Sequence, residues 1–121
     1  MKHQNVRTER LWNFDHVWIR PHEQIGIHQR NEWELSYIIT GRGERVLDGE
    51  RGEFREEDLV LVVPNAEHGW IFDPGTTDAN GNIECLSLQW SSDMFSYLEQ
   101  LFPNWTSVKS RYLSLTQCAV F

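Results

Sequence analysis

Short runs of alternating apolar and polar residues, each cut off by turn-forming residues, fill the first 90 positions and point to antiparallel β-structure. Trp12, Phe14, His16 and Trp18 alternate with Asn13, Asp15, Val17 and Ile19, which predicts a strand ended by Pro21. Residues 24–28 read as resumed extended chain. Residues 34–40 form the next strand, with Ser36, Ile38 and Thr40 on one side and Leu35, Tyr37 and Ile39 on the other. Gly41-Arg42-Gly43 marks a turn or bulge, and Asp48-Gly49 is a favoured hairpin dipeptide joining residues 44–47 to 51–54. Residues 59–63 are an unbroken apolar run, as in a strand buried on both faces. A loop at 64–67, a strand at 68–72, a polar loop at 73–82 and a strand at 83–90 complete the series. Some eight short strands with frequent turns suit a barrel or a sandwich, and periodicity alone does not choose between them.

After Trp90 the period changes. Ser91-Ser92 precedes Asp93 as a helix-cap signal, and Met94, Tyr97, Leu98 and Leu101 recur at helical spacing. Pro103-Asn104 interrupts the pattern, and residues 108–115 suggest a second helix. The apolar end, Cys118-Ala119-Val120-Phe121, is unusual for a free terminus and reads as a cut within a longer protein.

Composition narrows the function classes. A length of 121 residues suits one domain, and 40% apolar residues can build its core without staples. Cys85 and Cys118 lie too far apart for a metal-binding pair, and two cysteines suggest no disulfide framework. The N-terminus lacks the apolar run of a secretory signal, and no stretch is long enough to span a membrane. A cytoplasmic location is expected. Acidic residues outnumber basic ones 18 to 11, giving a net charge of −7, so this segment is not expected to grip nucleic acid.

Two blocks carry the chemistry. The first is Gly26-x-His28-x-Arg30, then Glu34, then Gly41 after six intervening residues. The second is Glu57-Asp58-Leu59, the strand to Val63, and Pro64-Asn65-Ala66-Glu67-His68. Together they resemble the two cupin motifs, with Arg30 standing where the second histidine of the first motif would be. Glu34-Leu35-Ser36-Tyr37-Ile38 before Gly41-x-Gly43, the Pro-Asn-x-x-His ending and Trp70 two residues beyond are similar to the N-terminal sensor domains of AraC-type transcription regulators. The resemblance implies an all-β, cupin-type double-stranded β-helix (a jelly-roll barrel) over residues 1–90, followed by C-terminal α-helices. Residues 91–121 would be a helical dimerisation segment ahead of a DNA-binding helix-turn-helix domain absent from this chain. It further implies a small effector, a sugar or related metabolite, in the barrel, and DNA contact only through the absent domain.

On this reading the chain is not an enzyme, needs no cofactor, and binds its effector through His28, Arg30, Glu34, His68, Trp70 and Gln89. The alternative is a stand-alone metal-dependent cupin enzyme, a sugar isomerase or dioxygenase, with His28, Glu34 and His68 as ligands. Imidazole and carboxylate suit Zn, Fe or Mn, whereas a guanidinium cannot ligate and repels a cation. Arg30 suits a carboxylate, a phosphate or a sugar hydroxyl. Plainer roles are open to each residue. The histidines could bond across strand ends, Arg30 could pair with Glu32 or Glu34, and Glu34 could sit in a structural salt bridge. Trp70 and Trp90 could be core. Cys85, Ser87 and Gln89 share one strand face that would line a cavity. His3, His16 and His22 read as surface residues, and the acidic run at 53–58 as a solvated turn.

Overall fold

The alternating runs fold as strands of two antiparallel sheets in the computed structural model, which describes residues 2–8, 11–24 and 26–121 (side chains in the first stretch at Asn5 alone). In chain order the strands are β1 (Lys2–Thr8), β2 (Trp12–Ile19), β3 (Trp33–Thr40), β4 (Gly43–Leu47), β5 (Glu50–Phe54), β6 (Leu59–Val62), β7 (His68–Phe72) and β8 (Ile83–Trp90). Helices α1 (Asp93–Leu101) and α2 (Thr106–Leu113) and a short strand β9 (Ala119–Val120) follow. The larger sheet has the order β1-β2-β8-β3-β6-β9, and the smaller one β5-β4-β7.

Turn chemistry sets the registers. Asp48 and Gly49 both take positive φ, 50° and 83°, so the β4–β5 hairpin closes on the mirror-image turn that matches strand twist. Pro64 and Asn65 (φ 68°) turn the chain back toward β7, with the Ala66 N–H donating to the Val63 carbonyl. That turn delivers His68 to the end of β7.

Strand parity divides the large sheet into two chemistries. On its inner face Ile19, Ile38 and Ile83 meet Phe54 and Phe72 of the smaller sheet in one buried cluster. On its outer face Trp33 and Trp90 stack at 6.4 Å, and α1 and α2 cover them with Phe95 and Tyr112. Residues 60–63 are buried throughout, as the unbroken run predicts.

Four details differ from the sequence expectation. The polar β1 carried no alternating signal, yet it pairs along β2 at the sheet edge, where polar strands are tolerated. Residues 24–28 make no strand beyond a single bridge between His28 and His68, and Ile25 lies outside the described residues. The second helix begins at Thr106, directly after a turn at Pro103–Trp105. Ser92 does not cap α1 with its side chain; its hydroxyl accepts the Trp33 indole N–H at 3.1 Å instead.

The expected apolar stripe of α1 is shared between two uses. Met94 packs on the buried cluster together with Phe95, whereas Tyr97 and Leu101 are exposed. The apolar run at the end of the chain pairs with the sheet, Ala119 opposite Leu61 and Val120 opposite Val60.

Candidate functional site

Between the sheets lies a cavity of about 140 Å³ lined by the first sequence block, and the second block meets the first beside it through His68, which bridges to His28 and stands against Glu34. β3 contributes Glu34 and Ser36, and β8 contributes Cys85, Ser87 and Gln89 from the predicted inner face. β7 adds Trp70, and the irregular segment before β3 adds His28 and Arg30. That segment is held by main-chain bonds. His28 and His68 exchange two at 2.9 Å each, and the Asn65 N–H donates to the Arg30 carbonyl at 2.7 Å. The Gln24 amide also acts as a strand would, accepting from the Phe72 N–H at 2.7 Å and donating to its carbonyl at 3.3 Å. The segment passes so close over β7 that a Cβ at Gly69 would stand 2.9 Å from the Ile27 Cα, which explains the glycine.

Glu34 is the hub. It is 5% exposed, and its carboxylate accepts from Ser36 Oγ at 3.0 Å and from Gln89 Nε2 at 2.9 Å. Gln89 is itself oriented by Asn13, whose amide donates to its carbonyl oxygen at 2.6 Å. Its amide also donates to Ser87 Oγ at 2.9 Å, so Gln89 lines the cavity while holding the Glu34 carboxylate in place. Burial alone would raise the Glu34 pKa, but His68, Gln89 and Ser36 together hold it down to about 2.

His68 is 1% exposed and stands against Glu34, outside the residues that line the cavity. Its Nδ1 shares a hydrogen bond with the Ala66 carbonyl at 2.9 Å, as His28 Nδ1 does with the Gly26 carbonyl at 3.0 Å. A carbonyl only accepts, so each Nδ1 carries a proton and each Nε2 is left outside that bond. His68 Nε2 is 3.3 Å from Glu34 Oε2 but is not aligned for a hydrogen bond, and among the described residues it has no other partner. In the neutral ring these two atoms would face each other lone pair to lone pair. A second proton on the ring, or a cation between the two atoms, removes the conflict. Burial pushes the His68 pKa down, yet the Glu34 carboxylate and the Ala66 carbonyl raise it overall.

The donor atoms of His28, Glu34 and His68 all lie within 4.8 Å of one another. This approaches the ~3–4 Å spread of donors around one ion at ~2.0–2.2 Å. Both imidazoles are fixed with Nε2 bare, the tautomer a metal requires. The residues fit a divalent metal. Cys85 is not part of this donor cluster, and burial, with Glu34 and Asp15 adding to it, pushes its thiol up to about 12.

Arg30 is exposed at the cavity mouth, and among the described residues its guanidinium has no hydrogen-bond or ion-pair partner; the alternative pairing with Glu32 or Glu34 is not made. Trp90 is core, whereas Trp70 lines the cavity while packing on both buried clusters. His16 is half-buried and pairs with Glu84 at 2.6 Å, correcting its reading as a plain surface residue; the His3 side chain lies outside the described residues. In the acidic turn, Glu56 accepts from the Gly41 N–H and from Arg42. Sequence reasoning missed Asn13, Ser36 and Gln24 as parts of the site. Inward parity with Glu34 and Gln89 was the available signal for the first two. Gln24 had none.

No family profile matches the chain, and no curated protein is significantly similar to it. Solved structures show its fold. A cupin 2 conserved barrel domain protein from Salinispora arenicola matches with a TM-score of 0.58 at 23% identity, covering 77% of each chain. An RmlC-like cupin with a double-stranded β-helix fold from Methanocaldococcus jannaschii matches with a TM-score of 0.55 at 18% identity, over 74% of this chain and 79% of that one. An RmlC-like cupin from Shewanella frigidimarina gives 0.55 at 18% identity, over 74% and 73%. The chain has the cupin fold. Among the described residues, no helix is long and apolar enough to cross a membrane.

Proposed function

We propose that this chain is the effector-binding and dimerisation module of an AraC-type transcription regulator. The observation that carries the reading is a small inter-sheet cavity lined by His28, Arg30 and Glu34 of the first block and by Trp70, with His68 of the second block set against Glu34. The block around Glu34-Leu35-Ser36-Tyr37-Ile38 and the Pro64-Asn65-x-x-His68 ending supply the AraC-type likeness. The acidic charge of −7 suits a module that leaves DNA to another domain. Effector binding would shift the module between arrangements to the extent that their affinities differ.

Dimerisation would use the helical segment, where Tyr97 (46%), Leu101 (53%) and Phe102 (58%) are exposed together. Light scattering over a concentration series should give a homodimer; a monomer at high micromolar concentration would remove this part of the reading.

The His28–Glu34–His68 cluster supports a second reading, a metal-dependent cupin enzyme of the isomerase or dioxygenase kind. These three residues would hold the ion, which would supply Lewis-acid polarisation of a bound oxygen. Ser36 and Gln89 would keep the Glu34 carboxylate aimed, and Arg30 would steer an anionic group at the mouth. Elemental analysis of dialysed protein separates the two. Substoichiometric metal is expected for the effector module, while one Zn, Fe or Mn per chain would favour the enzyme.

A further inference from the structure

The cavity's unpaired charge and its size identify the class of molecule it takes, given the reading above that this cavity is the effector site. Its acidic groups are already satisfied. Glu34 has Ser36, Gln89 and His68, and Asp15 accepts from the amides of Asn5 and Asn13. Among the described residues lining the cavity, the charge left without a partner is the guanidinium of Arg30, at the mouth. Its apolar walls are formed by Val17, Ile19, Ile38, Phe72 and Ile83, beside the polar Glu34, Ser36, Ser87 and Gln89.

A cavity of about 140 Å³ is close to the ~150 Å³ engineered apolar cavity that admits a benzene molecule. The polar groups of the lining already bond within the protein, Ser36 and Gln89 to Glu34, Gln89 to Ser87 and Gln24 to Phe72, so a sugar ring would bring several hydroxyls to few free partners, and each one left unbonded is penalised. The planar fork of an arginine matches two carboxylate oxygens at once. We infer that the ligand is a compact monocarboxylate, its head on Arg30 and its apolar body, no larger than a six-carbon ring, between the sheets.

The test is calorimetric titration with benzoate, hexanoate, benzyl alcohol and glucose, on wild type and on Arg30→Ala, Arg30→Lys and Ser87→Leu. Benzoate or hexanoate should bind wild type and weaken about ten- to a hundredfold on Arg30→Ala. Arg30→Lys should recover part of the loss, and benzyl alcohol should bind weakly to wild type and Arg30→Ala alike. Carboxylate binding unchanged by Arg30→Ala would overturn the inference. Glucose binding that survives Arg30→Ala but is abolished by the cavity-filling Ser87→Leu would overturn the carboxylate class and leave the cavity as the effector site. Failure of all four compounds at millimolar concentration, with every variant folded by circular dichroism, would overturn the inference and the effector site together.

Discussion

Truncating Trp33 to alanine is expected to destabilise the protein by about 3–5 kcal/mol, a large share of the ~5–15 kcal/mol that holds a domain folded. Trp33 is 2% exposed and sits where three elements meet. Its ring stacks on Trp90 of β8 at 6.4 Å and receives Phe95 of α1 and Tyr112 of α2 edge-on at 5.8 and 6.2 Å. Its indole N–H also donates to Ser92 Oγ at the start of α1. Removal leaves a cavity under both helices, which are tied to the sheet as a pair by β8 before α1 and β9 after α2. Trp33→Phe keeps a ring on Trp90 but loses part of the buried area along with the hydrogen bond, so its cost should fall between about 1 kcal/mol and that of the alanine variant. Urea denaturation monitored by circular dichroism measures both. A loss below about 1 kcal/mol for Trp33→Ala would mean that the helices do not pack on this face.

Replacing His68 with leucine should be comparably severe at neutral pH, about 3–5 kcal/mol, because it strands a buried carboxylate beside an apolar side chain. The double variant Glu34→Gln/His68→Leu should be more stable than the single one, since no charge is then left without a counter-charge. In metal-free protein the pair also makes stability depend on pH. Glu34 is depressed from an ordinary 4.5 to about 2, so its contribution is present above 4.5 and is lost as pH falls toward 2. His68 is raised above its ordinary 6.5, so its contribution is full below 6.5 and fades as pH climbs through the higher folded value. The pair therefore supports the fold most strongly between about 4.5 and 6.5. Denaturation midpoints across pH, wild type against the double variant, check this. Parallel curves would show that Glu34 and His68 are not electrostatically joined.

The strand order along the chain was legible because its signals are local. Alternation at 34–40 and 83–90 and the Asp48-Gly49 turn need only neighbouring residues to act. Placing Glu34, Ser36 and Ile38 on one face follows from strand geometry, and so does the shared face of Cys85, Ser87 and Gln89. β1 escaped notice because an edge strand is satisfied by backbone bonds to one partner and needs no apolar pattern. Gln24 escaped because its role, imitating a strand beside Phe72, depends on where the chain passes 48 residues later.

The amino-acid sequence by itself determined that this chain is a strand-rich acidic domain with two motif blocks around His28–Glu34 and Pro64–His68. Periodicity, turn residues and charge are properties of short segments, and they survive without knowledge of distant contacts. Only the tertiary structure decided which motif residues line the cavity and which stand outside its lining. It placed Arg30 at the mouth, unpaired among the described residues, set His68 against Glu34 outside the cavity lining, and joined Gln89 to Glu34. Those outcomes depend on how two sheets stack and on which buried polar atoms find partners across them. Such contacts join residues far apart in the chain, and no local pattern encodes them.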